Sequence, residues 1–293
     1  MAGEGRKDQA GRGRGPRRPA KTGIAKGPAE PSRPKSAGRK PPARMPARPA
    51  SAEMRVQRAL AQAGVASRRQ GEELILAGRV RIDGKVAELG SKVNPAKQKI
   101  TVNGRVVKAV AKRWLAFNKP LGIVTTADDE QGRQTVFDLI PDHAGLTYVG
   151  RLDVMTTGLL LLTTDGEAVH RLTHPKYHIQ RKYTALVHGR STAELTGALK
   201  EHVVLDGRPV IPRDVRVRPG KDGRSIIDVT FEEGRNRLVR RWCEALGLKV
   251  ERLARLSYGP VRLGDLPPGR YRPLTPKEEA DLYSAVHLDS RES

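Results

Sequence analysis

The stretch Gly150-Arg151-Leu152-Asp153-Val154-Met155-Thr156-Thr157-Gly158, followed by Leu159-Leu160-Leu161-Leu162 and Thr163-Thr164-Asp165-Gly166, decides the reading of this chain. An unbroken apolar run bounded by turn residues predicts a strand buried on both faces. Asp153 stands at the head of the loop that feeds this strand, two positions after Arg151. A solvated surface acid needs no such framing, so Asp153 is the first candidate for chemistry.

Outward from this run, strands alternate with short helices. Trp114-Leu115-Ala116-Phe117 predicts a strand entering the turn Asn118-Lys119-Pro120-Leu121-Gly122, and Tyr148-Val149 leads into the Asp153 loop. Downstream, Asp165-Gly166 opens a short helix, Tyr183 to Val187 alternates as a strand, and Thr192 to Val203 reads as a helix. Val215 to Val217 and Ile226 to Phe231 predict strands, and Asn236 to Leu246 a helix stopped by Gly247. Val250 to Leu256 alternates once more, and Thr275-Pro276-Lys277-Glu278 is a capping box for a last helix. Without regular βαβ alternation, this order predicts an α+β fold whose sheet is mixed and mostly antiparallel, with flanking helices.

The chain has 293 residues with 55 Lys+Arg against 32 Asp+Glu, a net charge of +23. That excess points to a polyanionic partner, because each cation set against a phosphate releases condensed counterions. Residues 1–53 hold 14 basic and 4 acidic side chains, +10 of the total, and no Phe, Trp, Tyr, Leu or Val. Such a segment buries too little apolar surface to offset its chain entropy and is expected to be a disordered basic tail. No run approaches the ~18 apolar residues of a membrane span, so no membrane partner is expected. The single cysteine, Cys243, allows no disulfide framework, fits a reducing cytoplasm, and reads as a small buried hydrophobe.

Residues 54–112 form a separate unit. A short helical pattern over 54–62 precedes an S-x-x-Q capping box, Ser67 to Gln70, which opens a second helix ending at Gly78. Asp83-Gly84 and Asn103-Gly104 are two-residue hairpin signals between alternating apolar positions. Arg68, Arg69, Arg79 and Arg81 gather near the junction, where they suit a phosphate backbone better than base edges. The stretch from Arg55 to Asp83-Gly84-Lys85 resembles the αL-motif RNA-binding module first described in a small-subunit ribosomal protein.

Over 113–287, several separated segments in order resemble bacterial ribosomal RNA pseudouridine synthases. Asn118-Lys119-Pro120-x-Gly122 is similar to their first motif, and Gly150-Arg151-Leu152-Asp153 with Thr157-Gly158-Leu159-Leu160 to their second. Lys182-Tyr183 is similar to the tyrosine segment. Glu233-Gly234-Arg235-Asn236-Arg237-Leu238-Val239-Arg240-Arg241 matches the third motif, and Arg255-Leu256-x-Tyr258-Gly259 the segment after it. The branch resembled pairs an αL-type module with this catalytic domain. Arg-Asn-Arg-x-Val-Arg-Arg is more like the large-subunit enzymes than the small-subunit ones, which carry aromatic-His-Gln there.

The resemblance implies that uracil is detached from ribose C1′, rotated, and rejoined through C5. No atoms are gained or lost, so neither cofactor nor metal is expected. It assigns to Asp153 the ionised carboxylate that acts as nucleophile or stabilises an oxocarbenium-like state, with attack on sugar or on base left open. Desolvation in a base-sized pocket would raise the pKa of that carboxylate, so a fixed cation must oppose it, and Arg240 is the candidate for a bidentate pair. Tyr183 would pack on the flipped base and assist proton removal at C5, and Leu256 would form an apolar wall. Because the uridine lies in folded RNA it must be extruded, at roughly a few kcal/mol, with Arg151, Lys119 and Asn118 expected to help hold the RNA. The expected partner is ribosomal RNA or an assembling subunit, and the expected state a cytoplasmic monomer. The rival class is a non-catalytic RNA-binding or ribosome-assembly factor on the same scaffold.

Other patterns carry little. His170, His174 and His178 are spaced for one helical face, but Pro175 interrupts it and no cysteine joins them, which argues against zinc. Gly11-Arg12-Gly13-Arg14-Gly15 has no strand before it, and Gly78 to Lys85 lacks the spacing of a phosphate loop.

Overall fold

The computed structural model describes residues 53–108, 111–199 and 203–288; all of the expected basic tail except Glu53 lies outside them. Every described residue belongs to one compact unit.

The first part begins with β1 (Met54–Arg55), α1 (Val56–Gln62) and α2 (Arg68–Leu76). β2 (Val80–Ile82), β3 (Lys85–Val86), β4 (Lys92–Val93), β5 (Ile100–Val102) and β6 (Arg105–Val106) follow. The capping box forms as expected, with Gln70 N–H donating to Ser67 Oγ and Ser67 N–H to Gln70 Oε1. Both Asp83-Gly84 and Asn103-Gly104 adopt positive φ at each residue, which matches the right-handed twist of the flanking strands. The four strands run in the order β3-β2-β5-β6, and Val56, Leu60, Ile75, Val80 and Val93 fill the small core beneath them.

The second part is built on a nine-stranded mixed sheet. Its chain order is β7 (Trp114–Lys119), β8 (Thr147–Tyr148), β9 (Thr157–Thr163), α3 (Gly166–Thr173), β10 (Arg181–His188) and α4 (Thr192–Ala198). Then come β11 (Val203–Leu205), β12 (Arg208–Val210), β13 (Asp214–Pro219), β14 (Ser225–Phe231) and α5 (Leu238–Ala245). β15 (Lys249–Tyr258), β16 (Val261–Arg262), β17 (Tyr271–Pro273) and α6 (Pro276–Ala285) complete it. The main path is β13-β14-β10-β15-β9-β7-β17, antiparallel throughout except for β9 against β15.

Leu159 to Leu162 are all at 0% exposure, so β9 is covered on both faces as the leucine run predicts. Leu159 and Leu161 face the core under α3 and α6, while Leu160 and Leu162 face the one containing Phe117, Ile123 and Ile140. A third core, on α5, holds Trp242 and Cys243, whose thiol burial pushes up to about 12. Cys243 is thus the buried hydrophobe expected.

One secondary-structure expectation is corrected. The helix read from Thr192 to Val203 ends at Ala198, and Val203 instead opens the β11–β12 hairpin. Its turn, Asp206-Gly207, has the same positive-φ pair as the other Asp-Gly turns.

Candidate active site

Strand register carries the site. Tyr183 on β10 pairs with Arg255 on β15, Arg255 with Gly158 on β9, and Gly158 with Lys119 on β7. Four motif segments far apart in sequence therefore lie in one row across four adjacent strands. Asp153 sits in the loop that enters β9 at the end of that row. Gly158 is what lets the parallel pair close: a Cβ there would lie 2.3 Å from the Arg255 carbonyl oxygen.

The Asp153 loop is held through its backbone, carbonyl by carbonyl. Thr125 Oγ1 donates to Leu152 O at 2.9 Å, and Thr156 N–H to Asp153 O at 3.0 Å. Val154 O accepts from Gly122 N–H at 3.0 Å and from Lys119 Nζ at 3.4 Å, and Met155 O accepts from Arg240 Nη2 at 2.6 Å. With the four carbonyls from Leu152 to Met155 satisfied, the loop presents the Asp153 side chain in one geometry.

The Asp153 side chain, half-buried, accepts no hydrogen bond and makes no ion pair among the described residues. The other acid framing the leucine strand, Asp165, is fully engaged. It caps α3 by accepting from Glu167 and Ala168 N–H, receives the Tyr283 hydroxyl at 3.0 Å, and lies 3.6 Å from Lys112. Of the two, Asp153 alone is left with its oxygens available.

Lys119 and Asn118 are corrected. Lys119 is 0% exposed; its ammonium donates to the carbonyls of Pro120 (2.9 Å) and Ile123 (2.7 Å) as well as Val154. Burial pulls its pKa down to about 8, against an opposing upward pull from Asp153. Asn118 is also buried, donating to Leu266 O at 2.7 Å. Neither side chain can reach an RNA backbone; both instead brace the site from within.

Arg240 is corrected in its partner. It makes no bidentate pair with Asp153, but donates to Met155 O and to Val250 O (3.3 Å), clamping the Asp153 loop to β15. Desolvation lowers its pKa, Arg237 lowers it further, and Asp153 acts in the opposite direction. Leu256 is displaced too. A register shift between Lys182 and Tyr183 leaves it the unmatched residue of β15, so Leu253 supplies the apolar wall of the pocket.

The pocket beside Asp153 has a volume of about 310 Å³, and its walls include Arg151, Asp153, Tyr183, Arg237, Leu253 and Arg255. Tyr183 is half-buried there, and its hydroxyl bonds to no described residue. Arg151 and Arg237 are exposed at the rim, without a carboxylate partner among the described residues.

Beneath them, Arg181 and Arg255 lie 4.8 and 5.0 Å from the ring centre of Tyr258. Arg181 also donates to the Tyr258 hydroxyl at 3.0 Å, and Arg255 Nε to Leu159 O at 2.7 Å. Such charges are retained where a low-dielectric site needs positive potential, since leaving them buried without an acid is otherwise costly. Sequence reading missed Arg181, Arg237 and Arg255 as site residues. Arg237 and Arg255 lie inside the motif segments and Arg181 just before the Lys182-Tyr183 segment, but alternation alone does not distinguish a buried arginine from an exposed one.

In the first part, Arg68, Arg69, Arg79 and Arg81 are all exposed and pair with no acid among the described residues; Arg81 donates only to Gly84 O within its own hairpin. Among the described residues no three His, Cys, Asp or Glu side chains assemble as metal ligands, and no helix is long and apolar enough to cross a membrane.

This is the architecture of a uridine-isomerising enzyme joined to a small RNA-binding module. Residues 113–245 match the RNA pseudouridylate synthase family, and residues 54–98 the S4 domain. The chain is 41% identical over 239 residues to a protein of Aquifex aeolicus called an uncharacterized RNA pseudouridine synthase, spanning 80% of this chain and 96% of that one. It is 42% identical to ribosomal large subunit pseudouridine synthase B of Bacillus subtilis, spanning 76% of this chain and 93% of that one. A crystal structure of a pseudouridylate synthase superposes with a TM-score of 0.53 at 31% identity, covering 78% of this chain and 99% of the other. The chain belongs to the RNA pseudouridine synthase family.

Proposed function

We propose that this enzyme converts one uridine of large-subunit ribosomal RNA to pseudouridine with Asp153 as its essential carboxylate. The observation carrying this reading is that Asp153, unlike Asp165, accepts no hydrogen bond and makes no ion pair among the described residues, while the carbonyls of Leu152, Asp153, Val154 and Met155 are all held. The N1–C1′ bond breaks, the uracil turns, and C5 bonds to C1′; the C5 proton leaves and N1 gains one, so atoms balance without a cofactor. Asp153 attacks the sugar or the base. Lys119 and Arg240, whose charges both interact with Asp153, place positive potential beside the carboxylate. Tyr183 offers the everted uracil a stacking face and, at its hydroxyl, a proton acceptor near C5.

We divide the chain into an RNA-binding module over 54–112 and a catalytic domain over 113–287. The free arginines of the module position ribosomal RNA or an assembling large subunit, and the protein acts in the cytoplasm as a monomer. The large-subunit assignment is supported by the names of the Bacillus subtilis and Pseudomonas aeruginosa relatives.

The test is a pseudouridine map of ribosomal RNA from cells lacking the gene, complemented with wild type or Asp153→Asn at matched expression. One site should vanish on deletion and return only with wild type. Full restoration by Asp153→Asn would remove this residue from the chemistry.

A further inference from the structure

Three rungs of the β10–β15 ladder underlie the pocket: Arg181 pairs with Tyr258, Tyr183 with Arg255, and Ala185 with Leu253. Paired residues of antiparallel strands point to the same face, their Cβ atoms about 5 Å apart. Arg181, Tyr183, Leu253 and Arg255 all line the pocket, which therefore opens on this face of the sheet. Arg255 is thus the direct cross-strand neighbour of the tyrosine that offers the uracil its stacking face.

The Arg255 guanidinium is 2% exposed and pairs with no acid among the described residues. Only its Nε donates, to Leu159 O at 2.7 Å, and Nη2 is buried without a partner. Tyr258 fixes it from behind, with the ring centre 5.0 Å from the guanidinium carbon. Other buried guanidinium nitrogens lack partners at Arg58, Arg113 and Arg240, but there the orphan is Nε and an Nη already holds an acceptor. None of those three lines the pocket. A buried charged donor with no acceptor is costly, and its place in a pocket wall assigns that acceptor to what enters the pocket.

We infer that Arg255 donates to the C4 carbonyl of the everted uracil and so sets the choice of uridine over cytidine. This rests on the reading that the target uridine enters the Asp153 pocket and lies on Tyr183. The ribose then stays with Asp153, and the phosphates with the exposed rim arginines, Arg151 and Arg237. A group as buried as Arg255 meets only the part that enters furthest, the base edge away from the sugar. Arginine donates and never accepts. C4 carries an acceptor oxygen in uracil but a donor amino group in cytosine. Cytosine would set donor against donor and leave the charge unpaired. The contact also survives the isomerisation. A half-turn of the uracil about its N3–C6 line carries C5 to the place of N1 and the C2 carbonyl to the place of the C4 carbonyl. The guanidinium therefore faces a carbonyl before and after the base turns.

Binding to a stem-loop carrying the mapped target uridine, or cytidine in its place, tests the assignment. Asp153→Asn, which binds without turnover, should hold the uridine RNA about tenfold or more tightly than the cytidine RNA. Adding Arg255→Met, which removes every donor at similar length, should bring that ratio within about twofold of one. Wild type should convert 4-thiouridine at the target about tenfold more slowly than uridine in single turnover, because sulfur is the poorer acceptor, and Arg255→Met should treat the two alike. Thermal unfolding shows whether Arg255→Met is folded, and the comparisons with Arg255 intact need no such variant. A folded Arg255→Met that still prefers uridine would overturn the assignment. So would an Asp153→Asn protein that binds both RNAs equally, or a wild type indifferent to 4-thiouridine; each leaves the role of Asp153 standing. Full turnover by Asp153→Asn would instead remove the reading on which the assignment rests.

Discussion

Asp153 and Asp165 frame the same strand, and the fold uses them in opposite ways. Asp165 is consumed by a helix cap and a buried tyrosine hydroxyl, whereas Asp153 is held only by its backbone and by the field of nearby cations. Lys119 connects that field to pH. Its folded-state pKa of about 8 lies below the ordinary 10.5, so between these values the unfolded chain binds more protons and stability from this group rises with pH. Below pH 8, burying the charge costs about 3 kcal/mol. The neutral amine has one N–H fewer than the three carbonyls it serves, so the loop loses a bond as the proton leaves. The single-turnover rate should fall as pH rises through about 8, and Lys119→Met should abolish that limb and lower the neutral rate about tenfold. A pH–rate profile of both proteins checks this, and a limb that survives in the variant assigns it to another group. Denaturant titrations should show wild type gaining on Lys119→Met between pH 8 and 10.5.

At the scale of elements, the site depends on one parallel pairing in an otherwise antiparallel sheet. The leucine run made β9 legible from sequence, and the Asp83-Gly84 and Asn103-Gly104 turns and the capping boxes at Ser67 and Thr275 followed from local chemistry. What did not show was register between distant strands, because alternation runs along the chain and says nothing about which residue lies opposite. That is why Lys119 and Asn118 read as RNA contacts when the sheet buries them, and why Leu256 stood in for Leu253. The β11–β12 hairpin was missed although Asp206-Gly207 signals it, because the apolar positions around Val203 also fit a helix. Gly158 is the residue on which the parallel pairing turns. Its φ of +99° and the 2.3 Å approach to Arg255 O leave no room for a side chain. Gly158→Ala should destabilise the protein by about 3 kcal/mol or more, as a strained backbone site and a steric clash combine. Because it pushes β15 from β9, activity should fall more than stability alone explains. Thermal unfolding together with assays well below Tm separates the two effects, and an alanine variant with normal Tm would show that the strands can shift.

Across the whole molecule, charge is distributed so that binding and chemistry draw on different groups. Arg58 of α1 meets Glu167 of α3 at 3.4 Å, and the backbones of Gly64 and Gly145 approach so closely that a Cβ on Gly64 would lie 2.5 Å from Gly145 N. The module's free arginines and the pocket rim are therefore carried on one body. Residues 1–53 add +10 of the +23 and contain no Phe, Trp, Tyr, Leu or Val. Phosphate contacts made by such a segment add affinity on any sequence and steepen the salt dependence, since each releases counterions. Removing residues 1–53 should weaken binding to ribosomal RNA and flatten the slope of log K against log salt by about one unit per lost phosphate contact. The single-turnover rate at saturating RNA should not change, because Asp153, Tyr183 and the buried arginines are all outside the deleted segment. Binding titrations of the full and shortened chains at several salt concentrations measure the slope, and saturating single-turnover assays measure the rate. An unchanged slope would show that the tail does not touch the phosphates, and a lost rate would place it in the chemical step.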